Sequence, residues 1–229
     1  MIMKKLLLQL FMLLFSSSIL YAQQDVTKFL GIPVDGSEST MIRKLRAKGF
    51  KYALDDSNIL SGRFNGEDVL IAFRSNNGKL WRVAVIENAQ RDEMNIKIRF
   101  NDLCRQFMNT GRYVPATLST DFIIPEEEDI SYGMAVENKR YQAVFYQLPE
   151  DTAALSDSIQ AYLLSKYTEE ELHNLTEKDE RRMAIETYSY LVAASLHKSV
   201  WFMINEQYGE YDISIFYDNE CNKAKGEDL

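Results

Sequence analysis

The feature that most constrains the fold of this chain is a change in the spacing of apolar residues within one stretch, residues 28–86. In the first part of the stretch, apolar side chains recur three and four residues apart, which places them on one face of an α-helix: Met41, Ile42 and Leu45. Ser37 or Ser39 can cap the start of this helix, and Gly49 suits the left-handed residue that often follows a helix end. The sequence therefore predicts an amphipathic helix ahead of the spacing change.

The second part of the stretch alternates in the way that a β-strand requires. The outgoing strand carries Val69, Ile71 and Phe73, and the return strand carries Trp81, Val83 and Val85. Between them, Asn77 and Gly78 accept the positive φ angles of a tight hairpin turn. Because Leu70 and Ala72 are also apolar, we expect both faces of the outgoing strand to be partly covered. A helix followed by an antiparallel hairpin is therefore the organising unit.

The remainder of the chain repeats this mixture of helices and antiparallel strands. The predicted helices are 92–110, 151–167 and 177–198, and the predicted strands are 120–124, 134–137, 140–148, 200–206 and 211–217. This order is typical of an α+β fold in which helices pack on one side of an antiparallel sheet. The mature chain forms either one continuous domain or two similar helix-plus-hairpin halves, residues 23–115 and 116–229.

The later predicted helices each carry an apolar stripe that indicates their buried side, which in the helix at 151–167 is Leu155, Ile159, Tyr162 and Leu163. In the helix at 92–110 the stripe is Ile96, Phe100, Leu103 and Phe107, with Cys104 beside it. In the helix at 177–198 it is Ile185, Tyr188, Leu191, Val192 and Leu196. After the last strand, residues 218–229 form a polar tail, which we expect to fray unless a disulfide holds it.

Residues 1–22 are predicted to be a cleavable secretory signal peptide. Lys4 and Lys5 supply its positive start, residues 6–15 form an apolar core that is short for a membrane span, and small residues lead to the end of the segment. The mature protein would begin at Gln23, and the lack of a cysteine there disfavours a lipid anchor. We therefore expect an exported, soluble protein, periplasmic or secreted, with no transmembrane segment in the mature chain.

The charge balance argues against nucleic acid as a partner. The whole chain has 26 basic and 34 acidic residues, and removal of two lysines with the signal peptide leaves 24 basic residues and a net charge of −10. Binding to nucleic acid draws its affinity from Lys and Arg side chains that neutralise phosphates. An apolar fraction of 46% with 12% aromatic residues is ample for a core, which excludes a disordered chain.

The two cysteines allow two alternatives. An exported protein meets an oxidising compartment, in which Cys104 and Cys221 can form a disulfide. Such a bond would close a long loop, for which the chain-entropy account gives about 4–5 kcal/mol. In the other alternative the two thiols stay separate. Cys104 then lies beside an apolar stripe, where a thiol remains protonated and inert.

The sequence contains no motif that we recognise as catalytic, metal-binding or cofactor-binding. His173 and His197 lack a second His or Cys at the spacing of zinc ligands. No phosphate-binding loop, dinucleotide fingerprint or nucleophile elbow occurs. The acidic run at 126–129 offers oxygen atoms to Ca²⁺, but its spacing differs from an EF-hand loop, and a solvated turn is the favoured interpretation. We therefore assign no catalytic residue, metal or cofactor.

Three segments resemble a group of exported, uncharacterised proteins of Bacteroidota: FLGIPVDGS near the mature start, GRFNGEDV, and YDNECNKAKGEDL at the end. The resemblance covers most of the mature chain and implies no activity that can be transferred. In outline, the predicted elements are also similar to β-lactamase-inhibitor-like and outer-membrane-assembly accessory domains, and such a likeness of fold does not give a function.

Two short segments resemble the O-glycosylation acceptor motif of Bacteroidota, Asp151-Thr152-Ala153 and Asp157-Ser158-Ile159. The resemblance implies modification at Thr152 and Ser158. Both segments also stand near a predicted helix start, where Asp and Ser serve as caps.

The function that these expectations favour is a non-enzymatic binding or accessory role in the cell envelope, with another envelope protein as the partner. Protein interfaces favour aromatic and Arg anchors, and the candidates on the predicted hairpin are Arg74, Trp81 and Arg82. The alternative is a hydrolase that acts on glycan or peptide through carboxylates that the sequence does not place.

Overall fold

The computed structural model describes residues 25–53, 56–173, 175–224 and 226. Its helices are α1 (Glu38–Ala47), α2 (Glu93–Asn109), α3 (Ile130–Ala135), α4 (Thr152–Leu164), α5 (Glu169–His173) and α6 (Glu177–Ser195). Its strands are β1 (Lys28–Phe29), β2 (Ile32–Pro33), β3 (Lys51–Ala53), β4 (Asp56–Phe64), β5 (Glu67–Asn76), β6 (Lys79–Glu87), β7 (Tyr113–Pro115), β8 (Gln142–Gln147), β9 (Ser199–Gln207) and β10 (Glu210–Asp218). The predicted signal peptide lies outside the described residues. Within those ranges, every helix is too short or too polar to cross a membrane.

One antiparallel sheet contains eight of these strands, in the order β3-β4-β5-β6-β10-β9-β8-β7. Strands β3–β6 and β7–β10 are two meanders, and they meet where β6 pairs with β10. Helix α1 precedes the first meander and α2 precedes the second. The predicted α+β class with an antiparallel sheet is confirmed. Each half is a helix with four strands, larger than the predicted helix with a hairpin.

Helices α1 and α2 lie on one face of this sheet, and the main core lies between them and the strands. The residues that α1 buries are Met41, Ile42 and Leu45. Helix α2 buries its whole predicted stripe together with Cys104. The rings of Phe100 and Phe107 reach Phe202 of β9, with centroids 5.1 and 5.3 Å apart. The predicted buried sides of both helices are therefore confirmed.

A buried ion-pair network joins the end of β6 to α2. The side chain of Glu87 is 1% exposed, and it accepts hydrogen bonds from Arg91 Nη1 and Arg99 Nε, both at 3.0 Å. Arg91 Nη2 also lies 2.7 Å from Glu67 Oε1 on β5. Two carboxylates and two guanidinium groups therefore balance in charge where α2 begins to cross the sheet.

The segment between β7 and β8 differs from the prediction. Residues 120–124, predicted as a strand, form turns and bends, because the side-chain amide of Asn101 in α2 binds both the N–H and the carbonyl oxygen of Ile124. Residues 134–137, also predicted as a strand, belong to the end of α3 and the turn after it. Asp129 caps α3 through its carboxylate. At 120–124 a polar side chain therefore binds backbone groups that a strand would have used, and at 134–137 the chain continues a helix that Asp129 caps at its start.

Helices α4–α6 form an insertion between β8 and β9. Helix α6 contacts α4, β7 and β8, and the Tyr188 hydroxyl donates to the Pro115 carbonyl at 3.0 Å. The half-buried members of its predicted stripe are Tyr188, Leu191 and Val192. Ile185 and Leu196 are 47% and 52% exposed, so the prediction is wrong there. A helix that packs on the last strands of a sheet buries a narrower strip than one that lies across its middle.

The end of the chain is held on the sheet as far as Asn222, contrary to the prediction that it frays. The side chain of Asn219 is buried, and its amide donates to the Val34 carbonyl at 2.8 Å. The amide of Asn222 donates to the Leu80 carbonyl at 2.9 Å. Side-chain amides therefore attach the start of the tail, which was expected to fray unless a disulfide held it.

The structure keeps the two cysteines apart. Cys104 is buried in α2 and Cys221 is exposed after β10; both lie in the described part of the chain, and no disulfide joins them. Burial raises the pKa of the Cys104 thiol from 9.0 to about 12, because the thiolate would lose its hydration. The structure therefore does not contain the Cys104–Cys221 disulfide. It fits the alternative in which Cys104 is an inert thiol.

We expect Cys104 to resist iodoacetamide in the folded protein at neutral pH and to be fully labelled after unfolding without reductant, because only unfolding exposes it. Since its folded-state pKa is raised, its contribution to stability is complete below the unfolded value of 9.0 and is lost as the pH rises to about 12. Peptide mass spectrometry measures the labelling, and denaturation at a series of pH values measures the stability. The Cys104→Ala variant, as control, should lose less stability over that pH range. Labelling in the folded state would contradict this account.

We expect Glu87→Ala to lower the free energy of unfolding by about 3–5 kcal/mol, because it leaves two largely buried guanidinium groups without their shared carboxylate. Urea denaturation measures the change. The control is Asp102→Ala, which removes a surface ion pair with Arg105 and should cost about 0–1 kcal/mol. Equal effects of the two substitutions would show that the network does not stabilise the fold in this way.

Candidate functional site

The face of the sheet opposite α1 and α2 keeps most of its side chains half-buried, and we call it the open face. Strand pairing sets its side chains in rows. One row is Leu70, Ile86, Ser214, Met203 and Gln142, and the next is Ala72, Ala84, Phe216, Trp201 and Val144. Residues that alternate with these along the same strands are buried under the two helices. The open face is therefore an apolar surface that the described chain covers only in part.

A third row on the open face adds polar groups. It runs from Arg74 on β5 through Arg82 on β6 to Asp218 on β10. Tyr146 on β8 and Ser199 on β9 are paired with each other and continue it. The open face therefore passes from apolar rows at its middle to a charged row at one end of the strands.

An arginine lies among aromatic rings in this third row. We call Trp81, Arg82, Trp201, Phe216 and Asp218 the aromatic–arginine cluster. The guanidinium carbon of Arg82 lies 4.5, 5.2 and 4.8 Å from the ring centroids of the three aromatic residues, in that order. The rings of Trp201 and Phe216 are stacked, with centroids 4.2 Å apart and an interplanar angle of 25°. A cation at such distances is attracted to the ring faces.

Asp218 holds the cluster in one arrangement. Its side chain is 1% exposed and stands directly opposite Arg82 in the pairing of β10 with β6. It accepts hydrogen bonds from Arg82 Nε and Nη2, both at 2.6 Å, and from Trp201 Nε1 at 3.0 Å. A two-point Arg–carboxylate contact fixes direction as well as distance. The register of the two strands therefore determines the orientation of Arg82.

A bulge in β6 explains how two consecutive residues reach one cluster. Arg74 pairs with Arg82, but the next residue, Ser75, pairs with Leu80, so that Trp81 is an extra residue in the strand. Leu80 is buried, whereas Trp81 and Arg82 are both half-buried. A bulge redirects side chains in this way. Regular alternation alone would place only the rings of Trp201 and Phe216 beside Arg82. The bulge adds the ring of Trp81.

A groove with a volume of about 480 Å³ lies between the cluster and Leu196, at the end of the insertion that contains α4–α6. Its apolar lining is Val144, Tyr146, Trp201 and Leu196, the last of which follows α6. Arg82 and Lys223 supply its cations. This volume is within the range of about 300–1,000 Å³ that ligand sites occupy.

The structure brings together the three residues that the sequence indicated as an interface. Trp81 and Arg82 belong to the cluster, and Arg74 is the cross-strand neighbour of Arg82. The sequence analysis missed Trp201 and Phe216. A signal for both was present, because each is out of phase with the buried alternation of its own strand and so points away from the core. That these residues form an interface stays a prediction.

The two residues predicted to carry glycans lie on α4. Thr152 is the first residue of this helix and is exposed, and the exposed Ser158 donates its hydroxyl to the Ala154 carbonyl at 2.7 Å. Asp151 caps the helix, as its position suggested. Glycosylation at these residues stays a prediction.

A second depression, with a volume of about 520 Å³, lies beside the Glu87 network and is lined by carboxylates. Each of the three acidic residues that line it already has a partner. Glu67 binds Arg91 at 2.7 Å, Asp92 caps α2, and Asp102 lies 2.7 Å from Arg105. Each of these carboxylates therefore has a structural role.

The acidic run at 126–129 has structural contacts as well. Hydrogen bonds from Lys139 and Tyr141 hold the pKa of Glu128 below its ordinary value. Asp129 caps α3. Within the described ranges, no group of three or more His, Cys, Asp or Glu side chains could hold a metal ion. We therefore take the open face as the candidate site.

Comparison of the chain with protein-family models, with curated proteins and with solved structures finds no match. The argument for function therefore rests on the geometry of this chain.

We expect Asp218→Asn to lower the free energy of unfolding by about 1.5–3 kcal/mol, because it removes a charged hydrogen-bond partner of Arg82. The chain has two tryptophans, and both lie in the cluster, so the emission of the folded protein should also shift. Denaturation followed by tryptophan fluorescence measures both effects. The control is Glu220→Gln, at a half-buried residue outside the cluster. An unchanged spectrum and stability in Asp218→Asn would contradict the role of Asp218.

Proposed function

We propose that this protein is an exported, non-enzymatic binding module that holds another protein of the cell envelope on the open face of its sheet. Export is inferred from the predicted signal peptide, and the binding role is inferred from the side chains of the open face. The observation that carries the proposal is the aromatic–arginine cluster, which lies on the face that α1 and α2 do not cover.

The composition of the cluster supports a protein interface. Trp, Tyr and Arg supply most of the energetically dominant residues at such interfaces, and the cluster contains both tryptophans of the chain. Asp218 and the stacked rings hold these side chains in place before a partner arrives. Binding then loses little side-chain entropy, which favours affinity.

The arrangement of the rings favours a protein over a glycan as the partner. A sugar stacks on an open aromatic face, but the faces of Trp201 and Phe216 are stacked on each other and Arg82 lies against both. Ring edges and the neighbouring aliphatic side chains remain for contact. Apolar side chains of a protein pack well against such a surface, because packing of this kind needs area and shape and no free ring face.

The alternative of a hydrolase gains no specific support. General acid–base catalysis on a glycan needs two carboxyl groups that face a substrate. The carboxylates of the second depression bind arginines or cap a helix. Asp218, which lines the groove, is occupied by Arg82 and Trp201.

The test is capture of the partner from the native cell envelope. Tagged mature protein is cross-linked in place and its partners are identified by mass spectrometry. We expect one envelope protein to be enriched and its yield to fall about tenfold or more in Trp81→Ala and in Trp201→Ala, because the loss of a dominant interface residue costs about 2 kcal/mol or more.

The controls are Tyr208→Ala and Met94→Ala, two apolar side chains that are 94% and 69% exposed outside the open face. Both should leave the capture unchanged, and circular dichroism should show that all four variants are folded. Equal capture by wild type and both tryptophan variants would overturn the proposal. The absence of any enriched protein would do the same.

A further inference from the structure

We propose that the partner enters the groove with an acidic–apolar segment, in which a carboxylate side chain adjoins an apolar one. This inference rests on the proposed binding function and names the chemistry of the partner at that site. Three observations support it: an arginine without a carboxylate partner in the described part of the chain, an apolar lining of the groove, and an insertion beside the groove that only the second meander contains.

The first observation is the charge in and beside the groove. Arg82 is neutralised by Asp218, and Lys223 lies 3.2 Å from Glu220. Arg74, the exposed neighbour of Arg82, donates to the Phe73 carbonyl, and no carboxylate binds it within the described ranges. The charged residues that line the groove are therefore balanced, and Arg74, beside the groove and next to Arg82, adds one cation to a chain whose net charge is −8. A locally positive site on an acidic protein is complementary to an acidic partner and repels a basic one.

The second observation is the apolar lining beside these cations. Val144 and Tyr146 of β8 and Trp201 of β9 lie on the same face, and Leu196 lies 52% exposed at the groove. An exposed leucine at the rim of an apolar groove gains stability when an apolar side chain covers it. Lys223 also lies 5.7 Å from the Trp81 ring centroid, so the cationic end of the groove adjoins its aromatic side.

The third observation comes from a comparison of the two halves. In the first meander, Asn65 and Gly66 alone connect β4 to β5. In the second, residues 148–198 connect β8 to β9 at the corresponding position and include α4–α6. Leu196, at the end of this insertion, forms one side of the groove. The insertion therefore bounds the groove on one side, and this arrangement suits one short segment of a partner that lies along the groove.

The experiment selects binders from a displayed library of random short peptides on immobilised mature protein. We expect the enriched peptides to pair Asp or Glu with Leu, Phe, Met or Trp, and to change the emission of Trp81 and Trp201. Affinity should fall about tenfold in the double variant Arg74→Glu/Lys223→Glu, because it places like charges against the peptide. Added salt should weaken the binding as well.

The matched control is Arg43→Glu/Lys44→Glu, which changes the net charge equally on the exposed side of α1. It should bind the selected peptides like the wild type. Enrichment of basic or uncharged peptides, no enrichment at all, or equal loss in both double variants would overturn the inference. If the envelope partner is still lost in Trp201→Ala under those outcomes, the binding function stands and only the acidic chemistry fails.

Discussion

The pairing of β6 with β10 is the contact on which the rest of the structure depends, because it joins two meanders into one sheet. A carboxylate held by guanidinium groups closes each end of this pairing. At one end Asp218 binds Arg82, and at the other Glu87 binds Arg91 and Arg99. Breaking either contact would leave charges poorly hydrated, so slippage of the two strands is costly. The register of β6 against β10 is thus fixed by ion pairs as well as by backbone hydrogen bonds.

The same register produces the candidate site. Asp218 meets Arg82 only when Ile215 faces Val85, and that pairing also sets Ile215 and Val85 under the helices. Because α1 and α2 cover one face, the alternate residues of every strand are left on the other. The core and the open face are therefore formed by alternate residues of the same strands. A substitution that shifts the register would lose both together.

Local patterns in the sequence predicted the elements well and their assembly poorly. The spacing of Ile96, Phe100 and their neighbours identified the buried side of α2, since that spacing depends on the helix alone. The strand predicted at 120–124 failed because Asn101, distant in sequence, binds its backbone. For the site, Arg74, Trp81 and Arg82 came from one hairpin. Trp201 and Phe216 join them only through the β6–β10 pairing, which no local pattern contains.

The outer strands β3 and β7 contain three residues each, and β7 ends at Pro115. The edge of a sheet is where chains add to one another and grow into fibres; short edge strands offer few backbone partners for such growth, and Pro115 in β7 has no N–H to donate. The short edge strands therefore disfavour the addition of a further strand at either side of the eight-stranded sheet. Under the proposed binding function, recognition would fall to side chains, which distinguish between partners whose backbones are identical.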